Sequence, residues 1–190
     1  MSTAPDNWFP KHRINVDEYY RMVEVGLLAP DERVELIEGE VIDMSPIGSK
    51  HAAIVDLLNE LLGSVLNKRA IVAVQRPIRL NQRSEPQPDI ALLKSRKDRY
   101  AAAHPAPADV LLLIEVSDTT LRYDRDIKVP LYARHGIPEV WLIDVSAKQL
   151  HCMRDPSGEG YASTTLLQSG SIEPAALPGA AIDLSEVFGV

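Results

Sequence analysis

The apolar residues Ile54, Leu57, Leu58, Leu61, Leu62, Val65 and Leu66 recur at three- and four-residue steps. One face of a 3.6-residue helix collects such positions, so residues 50 to 68 are predicted to form an amphipathic helix packed on a core. Upstream, Asn15 with Glu18 three positions on has capping-box spacing and predicts a short helix that stops near Gly26. "RVELIEGEVIDM" then carries two β-rich arms about Glu38 and Gly39, the pattern of a hairpin or bulged strand pair, and the proline of "SPIGS" ends it.

Beyond the long helix the period shortens. "AIVAVQRPIRL", residues 70 to 80, reads as a strand whose middle Pro77 demotes to an edge or bulge. Residues 90 to 93 give a further short strand, and a polar, alanine-rich loop fills 95 to 109. "VLLLIEV", residues 110 to 116, is a continuous apolar run of strand length, expected of a central strand covered on both faces. A helix capped by Asp126 is predicted from Ile127 to about His135, with Pro130 inside its tolerated first turn and Gly136 ending it. "EVWLIDVSAKQLHCMR" reads as two strands about a Ser-Ala turn; one more strand is expected at 161 to 167 and a short turn near Leu184. No repeat is visible. Elements in this order predict an α/β fold, a mixed sheet flanked by helices. The length of 190 residues suits one domain, divided here into an N-terminal helix and hairpin (14–45), a core (50–155) and a C-terminal strand and tail (156–190).

Composition narrows the function classes. Hydrophobic residues at 45% and charged ones at 25% specify a packed soluble chain rather than a disordered one. The single cysteine, Cys152, excludes an internal disulfide and fits a reducing compartment. "MSTAPDNWFPKHR" lacks the apolar stretch of a signal peptide, and nothing approaches the roughly 20 apolar residues of a membrane span, so a cytoplasmic protein with no membrane partner is expected. No organic cofactor is expected either: "IGSKH" lacks the glycines of a phosphate loop. Ser117 lacks a Gly-x-Ser-x-Gly context, and His135, His151 and Cys152 lack zinc-ligand spacing. A net charge of -7 opposes strong nonspecific nucleic-acid binding but leaves room for a local basic groove. Lys94, Arg96, Lys97 and Arg99 are one candidate; a solvated loop is the plainer reading.

The candidate chemistry starts at "EPQPDIALL", where Asp89 stands at the mouth of a strand that otherwise reads as buried. A carboxylate there loses hydration unless something pairs with it. Glu115 closes the next strand, and if the two strands are antiparallel neighbours the two carboxylates converge. Two like charges so close repel unless a cation lies between them. Hard oxygen ligands from one or two carboxylates, completed by waters, describe a Mg²⁺ site, which polarises a phosphodiester oxygen and acidifies a bound water. Lys128, placed in the first turn of the following helix, would reach back to stabilise charge. The structural alternative has Asp89 starting a turn, Glu115 paired with an arginine and Lys128 solvated.

The segments "GLLAPDERVELIEGEVIDMSP", "KHAAIVDLLNELL", "VQRPIRL", "SEPQPDIALL" and "VLLLIEVSDTTLRYDRDIKVPLYARHGIPEVWLID" resemble the Uma-two-type restriction endonuclease family. The resemblance implies a restriction endonuclease-like PD-(D/E)XK core and a metal-dependent endonuclease that hydrolyses DNA, using Mg²⁺ or, as a substitute, Mn²⁺. Pro88 and Asp89 match the PD, with Asp89 a metal ligand; Glu115 matches the second acid, and the main-chain carbonyl of Val116 completes the metal shell. Ser117 stands where the superfamily has lysine, and the resemblance assigns that role to Lys128. It also implies Glu35 as an upstream acid and His51 and Gln75 as cleft residues, with Ser117, Asp124 and Tyr132 in support. A homodimer is implied, consistent with strand edges late in the chain that need covering. The alternative is a catalytically silent module that keeps the fold to bind nucleic acid or protein.

Overall fold

The computed structural model describes residues 10–29 and 31–189, so much of the N-terminal stretch read above lies outside the described residues. Helix α1, Val16–Glu24, begins as predicted: Glu18 N–H donates to Asn15 Oδ1 at 2.9 Å, and Asn15 N–H donates back to the Glu18 carboxylate at 2.7 Å. Strands β1, Val34–Ile37, and β2, Glu40–Asp43, pair antiparallel through Glu38 and Gly39, both at positive φ (49° and 80°). Two left-handed central residues define the hairpin turn whose twist matches its strands. Helix α2, Ser49–Leu66, buries Ile54, Leu58, Leu62 and Leu66 of the predicted stripe together with Val55, leaves Leu57, Leu61 and Val65 partly buried, and stops at a left-handed Asn67.

A six-stranded sheet follows in the order β3 Ala70–Val74, β4 Ile90–Lys94, β5 Val110–Ser117, β6 Glu139–Asp144, β7 Gln149–Ser157, β8 Gly160–Leu167. All neighbours are antiparallel except β5 and β6, which are parallel and therefore need a crossover. Helix α3, residues 121–134, supplies it. The antiparallel β4–β5 pairing is the one the candidate site required. Apolar clusters cover both faces of the sheet: α2 and the C-terminal segment on one, α3 and the β1–β2 hairpin on the other.

Two expectations are corrected. The predicted strand over 70–80 stops at Val74, because Gln75 takes a left-handed φ of 46° and Pro77 cannot donate to a ladder, so the chain turns out of the sheet. The predicted helix start at Asp126–Ile127 is too late. α3 begins at Leu121; Asp126 caps nothing and pairs with Arg125 instead. Lys128 consequently sits well inside the helix, at the end of a π-type stretch, Asp124–Lys128, in which Val129 N–H reaches back to the Asp124 carbonyl. That widened turn precedes Pro130, whose ring would otherwise meet the carbonyl of residue 126. The strand expected at 161 to 167 forms as β8, and the tail beyond it carries two further short strands and, at the turn expected near Leu184, a short helix. β9 Ser171–Ile172 pairs with β10 Ile182–Asp183, and α4, Leu184–Val187, is capped by the Asp183 side chain. Among the described residues no helix is long and apolar enough to cross a membrane.

Candidate active site

Asp89 immediately precedes β4, and Glu115 lies near the end of β5. The register that sets Ile90 opposite Ile114 brings both carboxylates to the same end of the sheet. Asp89 is fixed from two sides: Val116 N–H donates to Oδ2 at 2.9 Å, and His51 Nε2, from the first turn of α2, lies 3.0 Å from Oδ1. Glu115 Oε1 accepts from Tyr132 Oη at 2.5 Å and lies 2.9 Å from Lys128 Nζ. The same ammonium is 3.5 Å from Glu35 Oε2 on β1 and donates to the Gln87 carbonyl at 3.4 Å. Glu35 is held in turn by Gln87 N–H at 2.9 Å and Tyr123 Oη at 3.0 Å. Asp124 Oδ2 accepts from Ser117 Oγ (2.7 Å) and Thr120 Oγ1 (2.6 Å). The four acids, Lys128 and His51 face a cleft of about 640 Å³ between the hairpin, the start of α2 and the first turns of α3.

Charge in the cleft is unbalanced. At its floor four carboxylates, Glu35, Asp89, Glu115 and Asp124, share one lysine and one histidine, and the remaining lining adds Asp43, Asp118 and Asp126 against Arg33 and Arg122. Burial pushes the Glu115 carboxyl well above the ordinary range, with Lys128 pulling the other way and the Asp124 and Asp89 charges adding to the rise. Burial likewise raises Asp124. For Lys128, burial disfavours the ammonium, but Glu115, Glu35 and Asp124 outweigh it and hold the pKa well above the usual lysine value. The His51 pKa is raised by its hydrogen bond to Asp89, against the opposing effect of burial, while its Nδ1 is buried without a partner among the described residues. No group of three or more His, Cys, Asp or Glu residues is arranged to ligate a metal among the described residues. Two hard carboxylates are nevertheless the protein share of many Mg²⁺ sites, where water fills the remaining positions. Surplus buried negative charge is what a divalent cation would relieve, so the donor set fits a hard cation.

The "Putative restriction endonuclease" family, Uma2, matches residues 16–185. The chain belongs to the Uma2 family. A solved structure described as a "putative nuclease belonging to DUF820", from Anabaena variabilis, is similar with a TM-score of 0.71 at 18% sequence identity, covering 93% of this chain and 98% of that one. No curated protein matches. The fold is thus the restriction endonuclease-like α/β fold expected from the sequence.

In this Uma2 chain Asp89, Glu115, Lys128, Glu35, His51 and Asp124 all line the one cleft. Val116, Ser117 and Tyr132 do not line it but bond to residues that do. Gln75 does not line it either: its N–H donates to the Asp89 carbonyl at 2.9 Å and so steadies the entry to β4. Gln87, Thr120 and Tyr123 were missed by sequence reasoning. Gln87 adjoins the Pro-Asp pair, and Thr120 and Tyr123 lie four and one positions before Asp124. Proximity in sequence to the candidate acids was the available signal.

Proposed function

We propose that this Uma2 protein is a metal-dependent endonuclease that hydrolyses DNA phosphodiester bonds. The observation that supports it most is the gathering in one open cleft of Glu115 and Glu35, buried on either side of Lys128 at 2.9 and 3.5 Å, with Asp89, which is held by His51. Asp89, Glu115 and the Val116 main-chain carbonyl would hold Mg²⁺, or Mn²⁺ in its place. When bound, such a cation supplies Lewis-acid polarisation of a phosphate oxygen and a more acidic water.

The chain's own residues do the rest. Lys128 stays protonated in its carboxylate cage and presents a fixed positive charge at the cleft floor, worth more there than in water because little solvent screens it. Glu35, anchored by Gln87 and Tyr123, is the second carboxylate that positions that ammonium, at 3.5 Å. Tyr132 and His51 each hold one acid in a single orientation, so neither carboxylate must reorganise as substrate arrives. Strand cleavage on both DNA strands suits a homodimer, which light scattering would show as a particle of twice the chain mass.

The deciding assay is nicking of supercoiled plasmid with Mg²⁺ or with EDTA, using wild type, Asp89→Ala and Glu115→Ala. Wild type is expected to nick only with the metal, and both variants to fall to background. Equal nicking by all three would remove the proposal, and metal-independent DNA binding with no nicking would mark a silent module.

A further inference from the structure

A second cavity, about 400 Å³, is lined by Tyr20, Arg76, Arg79, Tyr100, Ala101 to Ala103 and His104. Its walls are aromatic and cationic. The Tyr20 and His104 rings stack with centroids 6.3 Å apart, and the Arg79 guanidinium lies 5.6 Å over the Tyr20 ring. Arg96 lies 4.6 Å over the Tyr100 ring. Arg79 and Arg96 are held by Glu85 and Asp98. Arg76, Lys94, Lys97 and Arg99 make no ion pair among the described residues, and the last three are exposed. Left-handed backbone at Gln75, Arg99 and Tyr100, with Arg76 Nη1 donating to the Arg99 carbonyl at 3.2 Å, fixes this cluster on the surface. Six cations thus gather beside three carboxylates, Glu85, Asp98 and the nearby Asp109, on a chain whose net charge is -7.

The cavity adjoins the cleft through one extended strip of chain. Glu85 anchors Arg79 at one end, Gln87 bonds Glu35 midway, and Asp89 enters the cleft at the other. Four extended residues span at most about 14 Å. At roughly 3.4 Å of duplex axis per nucleotide, that is on the order of four phosphates. Tyr100 is 4% exposed beneath Arg96, and the Tyr20 ring packs against Arg79 and His104, so the exposed cations rather than the rings are what this surface offers a nucleic-acid strand, through its phosphates.

We propose that this surface binds the nucleic-acid strand a few nucleotides beyond the scissile phosphate, with Arg76, Lys97 and Arg99 contacting its phosphates. The inference rests on the nuclease reading for the identity of the polyanion. Its test does not require cleavage: anisotropy of fluorescein-labelled single-stranded and duplex oligonucleotides in EDTA, over a salt series, for wild type and Arg76→Ala/Lys97→Ala/Arg99→Ala. None of the three lines the catalytic cleft or makes an ion pair among the described residues, so the variant is expected to lose no more stability than the single Arg76–Arg99 hydrogen bond provides, which a melting curve checks first. The slope of log affinity against log salt is expected to shrink by about 2 to 3, since each phosphate no longer neutralised removes roughly 0.7 to 0.9. An unchanged slope, or no binding by wild type, overturns the inference. Plasmid nicking by wild type in the same preparation shows whether the nuclease reading survives that result, and a reduced slope without any nicking upholds this surface while the nuclease reading falls.

Discussion

At the scale of single residues, the ammonium of Lys128 carries the electrostatics of the cleft. Its side chain and those of Glu35 and Glu115 are almost wholly shielded from solvent, at 3–4% exposure. Removing one partner from such a buried set leaves the others charged and desolvated, a loss of about 3–5 kcal/mol. Lys128→Ala is therefore expected to lower stability by that order in urea denaturation, as well as to abolish nicking. A variant within about 0.5 kcal/mol of wild type would show that the carboxylates are already neutral without it. Asp89 was legible from sequence because an acid behind a proline at a strand mouth is conspicuous. The approach of Lys128 to the strand end at Glu115 was expected from its place on the following helix; its contact with Glu35 was not legible, since nothing in the spacing of 35 and 128 states that a hairpin folds over α3.

At the scale of elements, local chemistry was readable wherever one residue type dictates the geometry. The Asn15–Glu18 capping box, the stripe of α2 and the Glu38–Gly39 turn all form where the pattern put them. The start of α3 was misplaced because a π-type turn breaks the 3.6-residue period, so the residues from 121 onward do not announce a helix. The hairpin turn permits a sharp test. A Cβ on Gly39 would stand 2.7 Å from Arg13 Cβ and 2.9 Å from the Ile14 carbonyl oxygen, at a φ of 80°. Gly179, at φ 78°, has nothing within 4 Å of such a Cβ. Gly179→Ala should cost only the left-handed backbone penalty, about 1–2 kcal/mol. Gly39→Ala should exceed it by roughly 1–3 kcal/mol of overpacking. Because β1 carries Glu35, Gly39→Ala is also expected to slow nicking, whereas Gly179→Ala leaves it intact. Equal melting of the two variants would show that residues 13 and 14 yield freely.

At the scale of the whole molecule, the C-terminal segment completes the core that α2 begins. Ile172, Leu177, Ala180, Ile182, Leu184, Val187 and Phe188 are buried in one cluster with Leu58, Leu62 and Trp141. The sequence concealed this because two-residue strands and a four-residue helix carry no period to read, and their apolar residues acquire a face only by docking on α2. A segment so placed is part of the fold's stability although it lies far from the cleft chemistry. Leu184 is fully buried, and truncating a leucine in a packed core costs about 2–5 kcal/mol, the spread reflecting how far the site can collapse. Leu166, on the outermost strand β8, is 51% exposed, and its loss should stay within about 0.5 kcal/mol. Leu184→Ala is therefore expected to lower the urea midpoint markedly and Leu166→Ala hardly at all, with per-molecule nicking unchanged in both once folded protein is measured. If Leu184→Ala melted like Leu166→Ala, the C-terminal segment would be docked too loosely to belong to the core, and α2 would owe its burial to the sheet alone.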